Sequence, residues 1–189
     1  MFGDRLLILA PHTDDAELGC GGTIARLTSE GVAVHVVAFS APDEFPTLRD
    51  EFARASEGLG ATAEVLGFET TYFTRDRQDI LQALIGYRDE HNPTAVLLPS
   101  ASDVHQDHAT LHAEGIRAFK NTTVLGYELP RNHLTFAPQV FVTLTDAHVA
   151  AKLAALRCYE SQKARPYFDD EYIAGLARVR GGQIDTRYA

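Results

Sequence analysis

Short apolar segments alternate along the chain with longer amphipathic segments. The first two apolar segments, Leu6–Ala10 and Val32–Ser40, are rich in the aliphatic and β-branched residues typical of buried parallel strands. Between them, Gly22–Glu30 has the spacing of polar and apolar residues that is typical of a helix. This order predicts a βαβ unit, in which a right-handed crossover brings the two strands into one sheet.

The same alternation continues through the rest of the chain. We predict further helices at Thr47–Leu59, Gln78–His91, Asp107–Phe119 and Asp146–Tyr159, and further strands at Glu64–Leu66, Ala95–Leu98, Thr123–Tyr127 and Val140–Leu144. No internal repeat or linker-like tract divides the 189 residues. The sequence therefore predicts a single α/β domain, residues 1–189, with three layers and a mostly parallel sheet.

The composition of the chain disfavours some classes of binding partner. The net charge of −9 opposes binding to nucleic acid or to an anionic membrane surface, since both need clustered Lys and Arg. No apolar run approaches the roughly 18 residues that a bilayer crossing needs, and the N-terminal residues lack a signal-peptide pattern. Cys20 and Cys158 are interpreted as free thiols. We therefore expect a soluble, cytoplasmic protein that acts on a small molecule.

Two polar segments follow predicted strands. Pro11–Asp15 follows the first strand, and Ser100–His108 follows the strand that ends near Pro99. In an open parallel sheet, ligands bind where loops diverge from the carboxyl ends of neighbouring strands, and the first and fourth strands flank that point in the common doubly wound order. We therefore expect these two segments to face each other.

The side chains of these two segments are those of a metal site. They comprise three histidines and four aspartates: His12, Asp14, Asp15, Asp103, His105, Asp107 and His108. Burying carboxylates beside imidazoles is costly without a compensating charge, which a divalent cation supplies. Imidazole and carboxylate ligands with one open position are typical of catalytic zinc. Each segment alone is also explained by helix capping or solvated charge, but their joint placement at two strand ends favours a metal site.

Other motifs are weaker. His108 and His112 have the helical spacing of a zincin site, but Ala109 replaces the glutamate that such a site requires. The glycine-rich segment Gly19–Gly22 lies too far after the first strand to form a dinucleotide-binding turn. The chain has no G-x-S-x-G motif for a serine nucleophile.

The segment Pro11–Asp15 resembles the P-H-x-D-D signature of the PIG-L/LmbE-like deacetylases, and glycines of a G-x-G-G pattern follow it. His105–His108 resembles the second motif of that family, H-x-D-H, and the similarity runs through most of the chain. The resemblance implies a Rossmann-like fold and zinc-dependent removal of acetyl groups from N-acetylated sugars, typically N-acetylglucosamine units of larger conjugates. The chain has Thr13 where proline is frequent and Ala16 where glutamate is frequent, but neither position carries an implied ligand role.

The resemblance also implies a role for each matched residue. It implies three ligands to Zn²⁺, or to another divalent transition metal: His12, Asp15 and His108. Asp14 would be the general base that takes a proton from the attacking water and then protonates the leaving amine. His105 would stabilise the oxyanion as a protonated imidazole, oriented by the Asp107 carboxylate.

Residues that bind the substrate are predicted at three further positions. Ser40 and Glu128 follow predicted strands, and Arg49 lies in the stretch where the family often has an arginine near the substrate. The identity of the sugar depends on loops whose conformation the sequence does not determine.

Three functions are consistent with these residues. The leading hypothesis is a metal-dependent N-deacetylase of an N-acetylated amino sugar or its conjugate. The alternatives are an amidase that acts on a thiol-sugar conjugate and a metal- or sugar-binding protein without catalysis. The presence of Asp14 and His105 disfavours the last, because a binding protein needs neither a base nor an oxyanion donor. The resemblance leaves both a monomer and a homo-oligomer open.

Overall fold

The computed structural model describes residues 1–189. Five strands and six α-helices follow one another along the chain: β1 Arg5–His12, α1 Asp15–Ser29, β2 Ala33–Ser40, α2 Leu48–Gly58, β3 Thr62–Val65, α3 Arg77–His91, β4 Ala95–Pro99, α4 Gln106–Ala118, β5 Thr123–Tyr127, α5 Asp146–Leu156 and α6 Asp170–Gly182. Two short 3-10 helices lie at Pro130–Asn132 and Pro166–Phe168. None of the helices has the length and apolar composition that a membrane crossing requires.

The five strands form one sheet in the order β3-β2-β1-β4-β5, and every neighbouring pair is parallel. The prediction of an α/β fold with a mostly parallel sheet is therefore confirmed. The strand order reverses between β1 and β4, which pair directly from Leu6 and Ala95 onwards. Because all strands run in the same direction, the loops after β1 and β4 leave the sheet at the same edge and diverge there.

Helices cover both faces of the sheet. Along β1, Leu6, Ile8 and Ala10 pack into the core layer against α1, α2 and α5, and Leu7 and Leu9 pack into the layer against α3 and α4. Successive side chains of a strand point to opposite faces, so a strand that is covered on both sides must be apolar throughout. All five of these residues are buried. This double cover holds the end of β1, and therefore His12, in a fixed position.

Helix α1 begins at Asp15, seven residues before the predicted start at Gly22. A kink at Cys20, whose φ is −137°, lies within the glycine-rich part of this helix. A Cβ atom on Gly19 would lie 2.4 Å from Tyr127 Cδ2, and one on Gly22 would lie 2.6 Å from Leu144 Cδ1. These glycines therefore allow the first half of α1 to pack closely against the end of β5 and the segment before α5.

The predicted strand Val140–Leu144 is wrong. Only Leu144 makes a β-bridge, and its partner is Tyr188 in an antiparallel arrangement outside the sheet. A further parallel strand would need a crossover of a dozen or more residues, usually a helix, and no α-helix lies between β5 and Val140. Helix α6 was not predicted from the sequence.

Candidate metal centre and active site

The loops after β1 and β4 bring the two polar segments together, as their strand order predicts. His12 is the last residue of β1 and Asp15 the first residue of α1, and His108 lies in the first turn of α4. These side chains are largely shielded from solvent, since Asp15 and His108 are buried and His12 is partly buried. Residues 95 positions apart in the chain, such as His12 and Asp107, are in hydrogen-bonding contact here.

Three possible ligand atoms converge at this point. His12 Nδ1 lies 3.3 Å from His108 Nε2, and Asp15 Oδ2 lies 3.2 Å from each of these two nitrogens. The main-chain N–H of His12 also donates to Asp15 Oδ2 at 2.9 Å, which orients this carboxylate. The result is a nearly equilateral triangle of two imidazole nitrogens and one carboxylate oxygen.

The outer nitrogen of each imidazole faces a carboxylate. His12 Nε2 lies 3.2 Å from Asp107 Oδ2, and His108 Nδ1 lies 2.8 Å from Asp103 Oδ2. A carboxylate accepts a hydrogen bond, so each outer nitrogen carries a proton and donates it. The inner nitrogens of His12 and His108 then present lone pairs to each other and to Asp15. Such an arrangement of acceptors is repulsive unless protons or a cation lie between them.

Both carboxylates are themselves held in place. Asp107 accepts from the main-chain N–H groups of Thr71 at 2.7 Å and Phe73 at 3.3 Å. Asp103 accepts from the His105 N–H at 2.9 Å and from the Asn132 side chain at 3.2 Å. Carboxylates that orient histidine ligands in this way are a common feature of metal sites.

The pKa values of these groups follow from the same contacts. Burial alone would lower the pKa of His12, but Asp107 and Asp15 raise it to about 10. Burial would also lower the pKa of His108, but Asp15 and Asp103 raise it to about 9. Burial would raise the pKa of Asp15, but His108 and His12 hold it well below its usual range. These pKa shifts show that positive charge is favoured between His12 Nδ1, His108 Nε2 and Asp15 Oδ2.

A divalent metal ion fits this triangle. Bonds of 2.0–2.2 Å in a tetrahedral site place neighbouring ligand atoms about 3.3 to 3.6 Å apart. The three observed separations of 3.2 to 3.3 Å are close to that value. His105 also has a ring nitrogen within 4.8 Å of those of His12 and His108, but it makes no hydrogen bond to either, whereas Asp15 Oδ2 lies 3.2 Å from both inner nitrogens. His12, Asp15 and His108 are therefore the residues that could hold the ion.

His105 lies beside the triangle as the N-cap of α4. Its Nδ1 accepts the main-chain N–H of Asp107 at 3.2 Å, so in the neutral ring Nε2 carries the proton. Burial lowers the pKa of His105, and the positive charges of His108 and His12 lower it further. The expectation of a protonated ring is therefore not supported by these contacts. The Asp107 carboxylate orients His12, and only the main chain of Asp107 orients His105.

Asp14 lies between the last residue of β1 and the start of α1. Its side chain makes no capping hydrogen bond, although the residue occupies the N-cap position of α1. Burial raises the pKa of Asp14 to about 6, and the adjacent charge of Asp15 contributes in the same direction. A carboxylate with a pKa near neutrality and no structural hydrogen bond has the properties of a general base.

Comparison of the sequence with known protein families identifies the family of this chain. A sequence profile described as "PIG-L: GlcNAc-PI de-N-acetylase" matches residues 7–119. The chain belongs to the PIG-L family. The matched residues contain both polar segments and therefore every residue of the triangle.

Relatives of this PIG-L chain include deacetylases. It is 30% identical over 167 residues to a protein of Escherichia coli K12 named "Uncharacterized deacetylase YaiS", with 82% of this chain and 90% of that protein covered. It is 26% identical over 221 residues to diacetylchitobiose deacetylase of Thermococcus kodakarensis, with 98% and 80% covered. The predicted family is confirmed, and the chain is a deacetylase-type hydrolase in a family where metal dependence is typical.

Proteins with other activities also have this fold. The crystal structure of GalB, the 4-carboxy-2-hydroxymuconate hydratase of Pseudomonas putida, has a TM-score of 0.80 and 24% identity to this PIG-L chain, covering 96% of this chain and 88% of that one. The fold alone therefore does not determine the reaction, and function must be argued from the site.

A pocket of about 220 Å³ opens onto the triangle of this PIG-L chain. Its inner wall carries His12, Asp14, Asp15, His105 and His108. Its outer wall comes from loops after β2, β5 and α5: Pro42, Phe45, Leu129, Arg131, Asn132, Gln162, Arg165 and Tyr167. The inner wall lies within the region that matches the family profile, and most of the outer wall lies outside it.

The three residues predicted to bind substrate do not line this pocket. Ser40 is fully buried and donates to the Pro11 carbonyl oxygen at 3.0 Å, so it supports the end of β1. Arg49 is exposed and donates to the carbonyl oxygen of Val65, at the end of β3. Glu128 forms an ion pair with Arg180 and lines a separate apolar cavity of about 160 Å³.

Several residues of the site were not assigned a role from the sequence. Asp103 was recognised as part of the second polar segment, but the local sequence does not show that it reaches His108 Nδ1. Arg131, Arg165 and Tyr167 come from loops that follow the last strand and α5. Their spacing from the two motifs carries no signal, because only the folded chain brings these loops to the pocket.

A second group of possible ligands lies elsewhere. His35, Glu64 and His91 have ligand atoms within 4.8 Å of one another. His35 Nε2 lies 3.0 Å from Glu64 Oε1, and the rings of His35 and His91 stack at 4.5 Å between centroids with an interplanar angle of 14°. Two nearly parallel stacked rings cannot both direct in-plane lone pairs at one ion in this conformation. This group is therefore a weaker metal site than the triangle.

Proposed function

We propose that this protein is a metal-dependent N-deacetylase that releases acetate from an N-acetylated amino sugar or its conjugate. In this proposal His12, Asp15 and His108 hold Zn²⁺ or another divalent transition metal. The observation that carries the proposal is the triangle of inner atoms at 3.2 to 3.3 Å, whose two imidazoles are both oriented by carboxylates.

The reaction is the hydrolysis of an acetamide. A bound divalent ion would act as a Lewis acid, which polarises a carbonyl group and makes water more acidic. Asp14 accepts a proton from the water that attacks the acetamide carbonyl carbon. Its pKa of about 6 leaves it mostly ionised at neutral pH and still basic enough for this step. The protonated Asp14 then gives the proton to the nitrogen of the leaving amine.

His105 supports the same step as a hydrogen-bond donor. Its Nε2–H donates a hydrogen bond to the carbonyl oxygen as that oxygen becomes negative. The Asp107 main-chain N–H keeps the ring in the tautomer that leaves this proton free. His105 thus acts as a neutral hydrogen-bond donor in this proposal, in place of the imidazolium that the family resemblance suggested.

Two other functions use the same residues. An amidase of a thiol-sugar conjugate would require the same base and oxyanion donor and would differ only in the acyl group that is released. A binding protein without catalysis would not require a carboxylate such as Asp14, which makes no capping hydrogen bond and faces the pocket. We therefore favour catalysis.

The proposal is tested with two histidines that are one turn apart on α4. His108→Gln removes an inner atom of the triangle, whereas His112→Gln changes a ring whose hydrogen bond is to the Pro99 carbonyl oxygen at 2.8 Å, outside the triangle. Each variant is loaded with Zn²⁺, analysed for bound metal and assayed for acetate release from a panel of N-acetylated sugars and glycosides. We expect His108→Gln to lose both metal and activity and His112→Gln to keep both. If wild-type protein binds metal but releases no acetate from any compound, the deacetylase proposal is rejected.

A further inference from the structure

Two arginines stand together at the outer wall of the pocket. The Arg131 guanidinium lies over the Tyr167 ring, with its carbon 4.2 Å from the ring centroid. Arg165 donates to the hydroxyl oxygen of Tyr167 at 2.6 Å. Both guanidinium groups therefore hold the same aromatic ring, and all three side chains line the pocket that contains Asp14.

These two arginines differ from the others in the chain. Most arginines form ion pairs, as Arg180 does with Glu128 and Arg77 with Glu114. Others, such as Arg49, donate to main-chain carbonyl oxygens. Arg131 and Arg165 do neither: both are exposed, and neither has a carboxylate within ion-pairing distance. In a protein with a net charge of −9, two neighbouring arginines without a carboxylate partner are unusual.

The main chain around Arg131 is hydrogen-bonded to the second polar segment, Ser100–His108. Arg131 lies in the 3-10 helix Pro130–Asn132, directly after β5. The Asn132 carbonyl oxygen accepts from the Val104 N–H at 3.1 Å, and the Asn132 side chain donates to Asp103 at 3.2 Å. The loop that presents Arg131 is therefore joined to the carboxylate that orients His108.

The main chain beneath Arg165 is fixed to the first polar segment. The Arg165 N–H donates to the Gln162 carbonyl oxygen at 2.9 Å, and the Gln162 N–H donates to that of Tyr159 at 3.0 Å. The hydroxyl group of Tyr159 donates to the Thr13 carbonyl oxygen, one residue before Asp14. Both arginines are thus presented from anchored turns, so a subsite between them is preformed.

The charges of the pocket are arranged in two zones. The inner wall carries Asp14 and Asp15 beside the histidines, and the outer wall carries Arg131 and Arg165. A substrate that places its acetamide at the inner wall therefore extends its remaining part toward positive charge.

We propose that Arg131 and Arg165 form a subsite for an anionic group, a carboxylate or a phosphate, on the part of the substrate that is attached to the amino sugar. The inference rests on the proposed deacetylase function and specifies the substrate class of that same site. Guanidinium groups suit both anions because they offer several donors in a planar arrangement. Tyr167 holds the two arginines in place and provides a face on which a sugar or its substituent can pack.

Matched substrates test the subsite. The methyl glycoside of N-acetylglucosamine is compared with its carboxymethyl glycoside and with N-acetylglucosamine 1-phosphate, so that the neutral, carboxylate and phosphate cases are separate. The variants are Arg131→Gln and Arg165→Gln, and Arg178→Gln is the control, since Arg178 lies outside the pocket and donates to the Arg187 carbonyl oxygen. Arg165→Lys keeps the positive charge but changes the contact with Tyr167, so it shows which of the two determines the preference for anionic substrates.

We expect kcat/KM of wild type for at least one anionic substrate to exceed that for the methyl glycoside by about 10-fold or more, because hydrogen bonds to a charged group are stronger than those between neutral groups. Arg131→Gln and Arg165→Gln should each reduce the ratio of kcat/KM for the anionic substrate to kcat/KM for the methyl glycoside by about 10-fold, mainly by raising KM for the anionic substrate. Arg178→Gln should change neither. Arg165→Lys should restore part of the preference.

Two outcomes would overturn the subsite. One is equal use of neutral and anionic glycosides by wild type, and the other is an equal loss on both substrates in the arginine variants. Failure of the deacetylase proposal is distinguished by the absence of acetate from every glycoside. In that case, binding of the deacetylated carboxymethyl glycoside is measured by calorimetry. Binding that weakens about 10-fold in Arg131→Gln but not in Arg178→Gln supports the subsite, and equal binding rejects it.

Discussion

Asp103 Oδ2 lies 2.8 Å from His108 Nδ1, on the side of the imidazole ring opposite to Asp15. Both side chains are almost fully buried. The contact places the proton of His108 on its outer nitrogen and leaves the inner nitrogen free to bind a cation. Asp107 has the same relationship to His12. Two carboxylates that are not ligands in the proposed site thus determine which nitrogens can be ligands.

Replacing Asp103 should weaken metal binding. In Asp103→Asn the charge that orients His108 is lost, and we expect metal affinity to fall by about 10- to 100-fold. Affinity is measured by competition with a chelator of known strength. Asp89→Asn is a suitable control, because Asp89 forms an exposed ion pair with Arg88 on α3. Unchanged affinity in Asp103→Asn would show that the contact has no role in metal binding.

Removing the metal should destabilise the protein. The ion would bind only the folded arrangement of the triangle, so it adds about 2.7 kcal/mol to the free energy of unfolding at a free concentration 100 times its Kd. We therefore expect a chelator to lower the Tm of the wild-type protein and to leave the Tm of His108→Gln almost unchanged. The measurement is thermal unfolding with and without chelator. An equal shift in both proteins would indicate that the chelator acts elsewhere.

His105 is predicted to act as a neutral donor. His105→Phe removes the Nε2–H, and we expect kcat to fall by about 10²- to 10³-fold with bound metal unchanged. Burial and the neighbouring positive charges lower the pKa of His105, and its Nδ1 accepts the Asp107 N–H, so both favour the neutral ring. Activity should therefore not decrease as the pH rises from 6.5 to 8. A decrease over this range that disappears in His105→Gln would instead support a protonated ring.

Lys152 gives a prediction for stability against pH. Its Nζ donates to the Leu18 carbonyl oxygen at 2.7 Å near the kink of α1, and burial lowers the pKa of Lys152 from 10.5 to about 8. Between pH 8 and 10.5 the unfolded chain binds this proton and the folded protein does not, so the free energy of unfolding rises with pH. The slope is at most about 1.4 kcal/mol per pH unit.

The matched variant isolates this effect. In Lys152→Met the titrating group is absent, so the variant should lose the rise while keeping every other pH-dependent contribution. Urea unfolding of both proteins at several pH values between 7 and 10.5 gives the difference directly. A difference that does not vary with pH would show that Lys152 titrates at the same pH in the folded and unfolded states.

The sequence predicted the parts of the protein that depend on local pattern. The strands around Leu6–Ala10 and Ala95–Leu98 are apolar on both faces, so their burial and parallel pairing could be predicted. The doubly wound strand order then predicted that Pro11–Asp15 and Ser100–His108 would meet, and the structure brings them together. Val140–Leu144 is also mostly apolar, but Val140 is exposed and only Leu144 is buried and makes a β-bridge, outside the sheet. Composition alone does not distinguish such an irregular segment from a strand.

The outer part of the site could not be predicted in the same way. Arg131 and Arg165 belong to turns that follow β5 and α5, and their positions depend on tertiary hydrogen bonds such as that of Tyr159 to Thr13. Arg49 was predicted from the stretch where the family often has an arginine near the substrate, but its guanidinium donates to the carbonyl oxygens of Val65 and Leu66 near β3. Arg131 and Arg165 line the pocket and Arg49 does not because their side chains point in different directions, which the sequence pattern does not determine.

The most direct test of the central claim is the activity of Asp14→Asn at full metal content. Wild type and Asp14→Asn are loaded with Zn²⁺, their bound metal is measured, and kcat for acetate release is determined on the best N-acetylated glycoside of the panel. We expect equal metal content and a fall in kcat of about 10²- to 10⁴-fold, because Asn cannot accept the proton of the attacking water. Full activity in metal-loaded Asp14→Asn would show that Asp14 is not the general base.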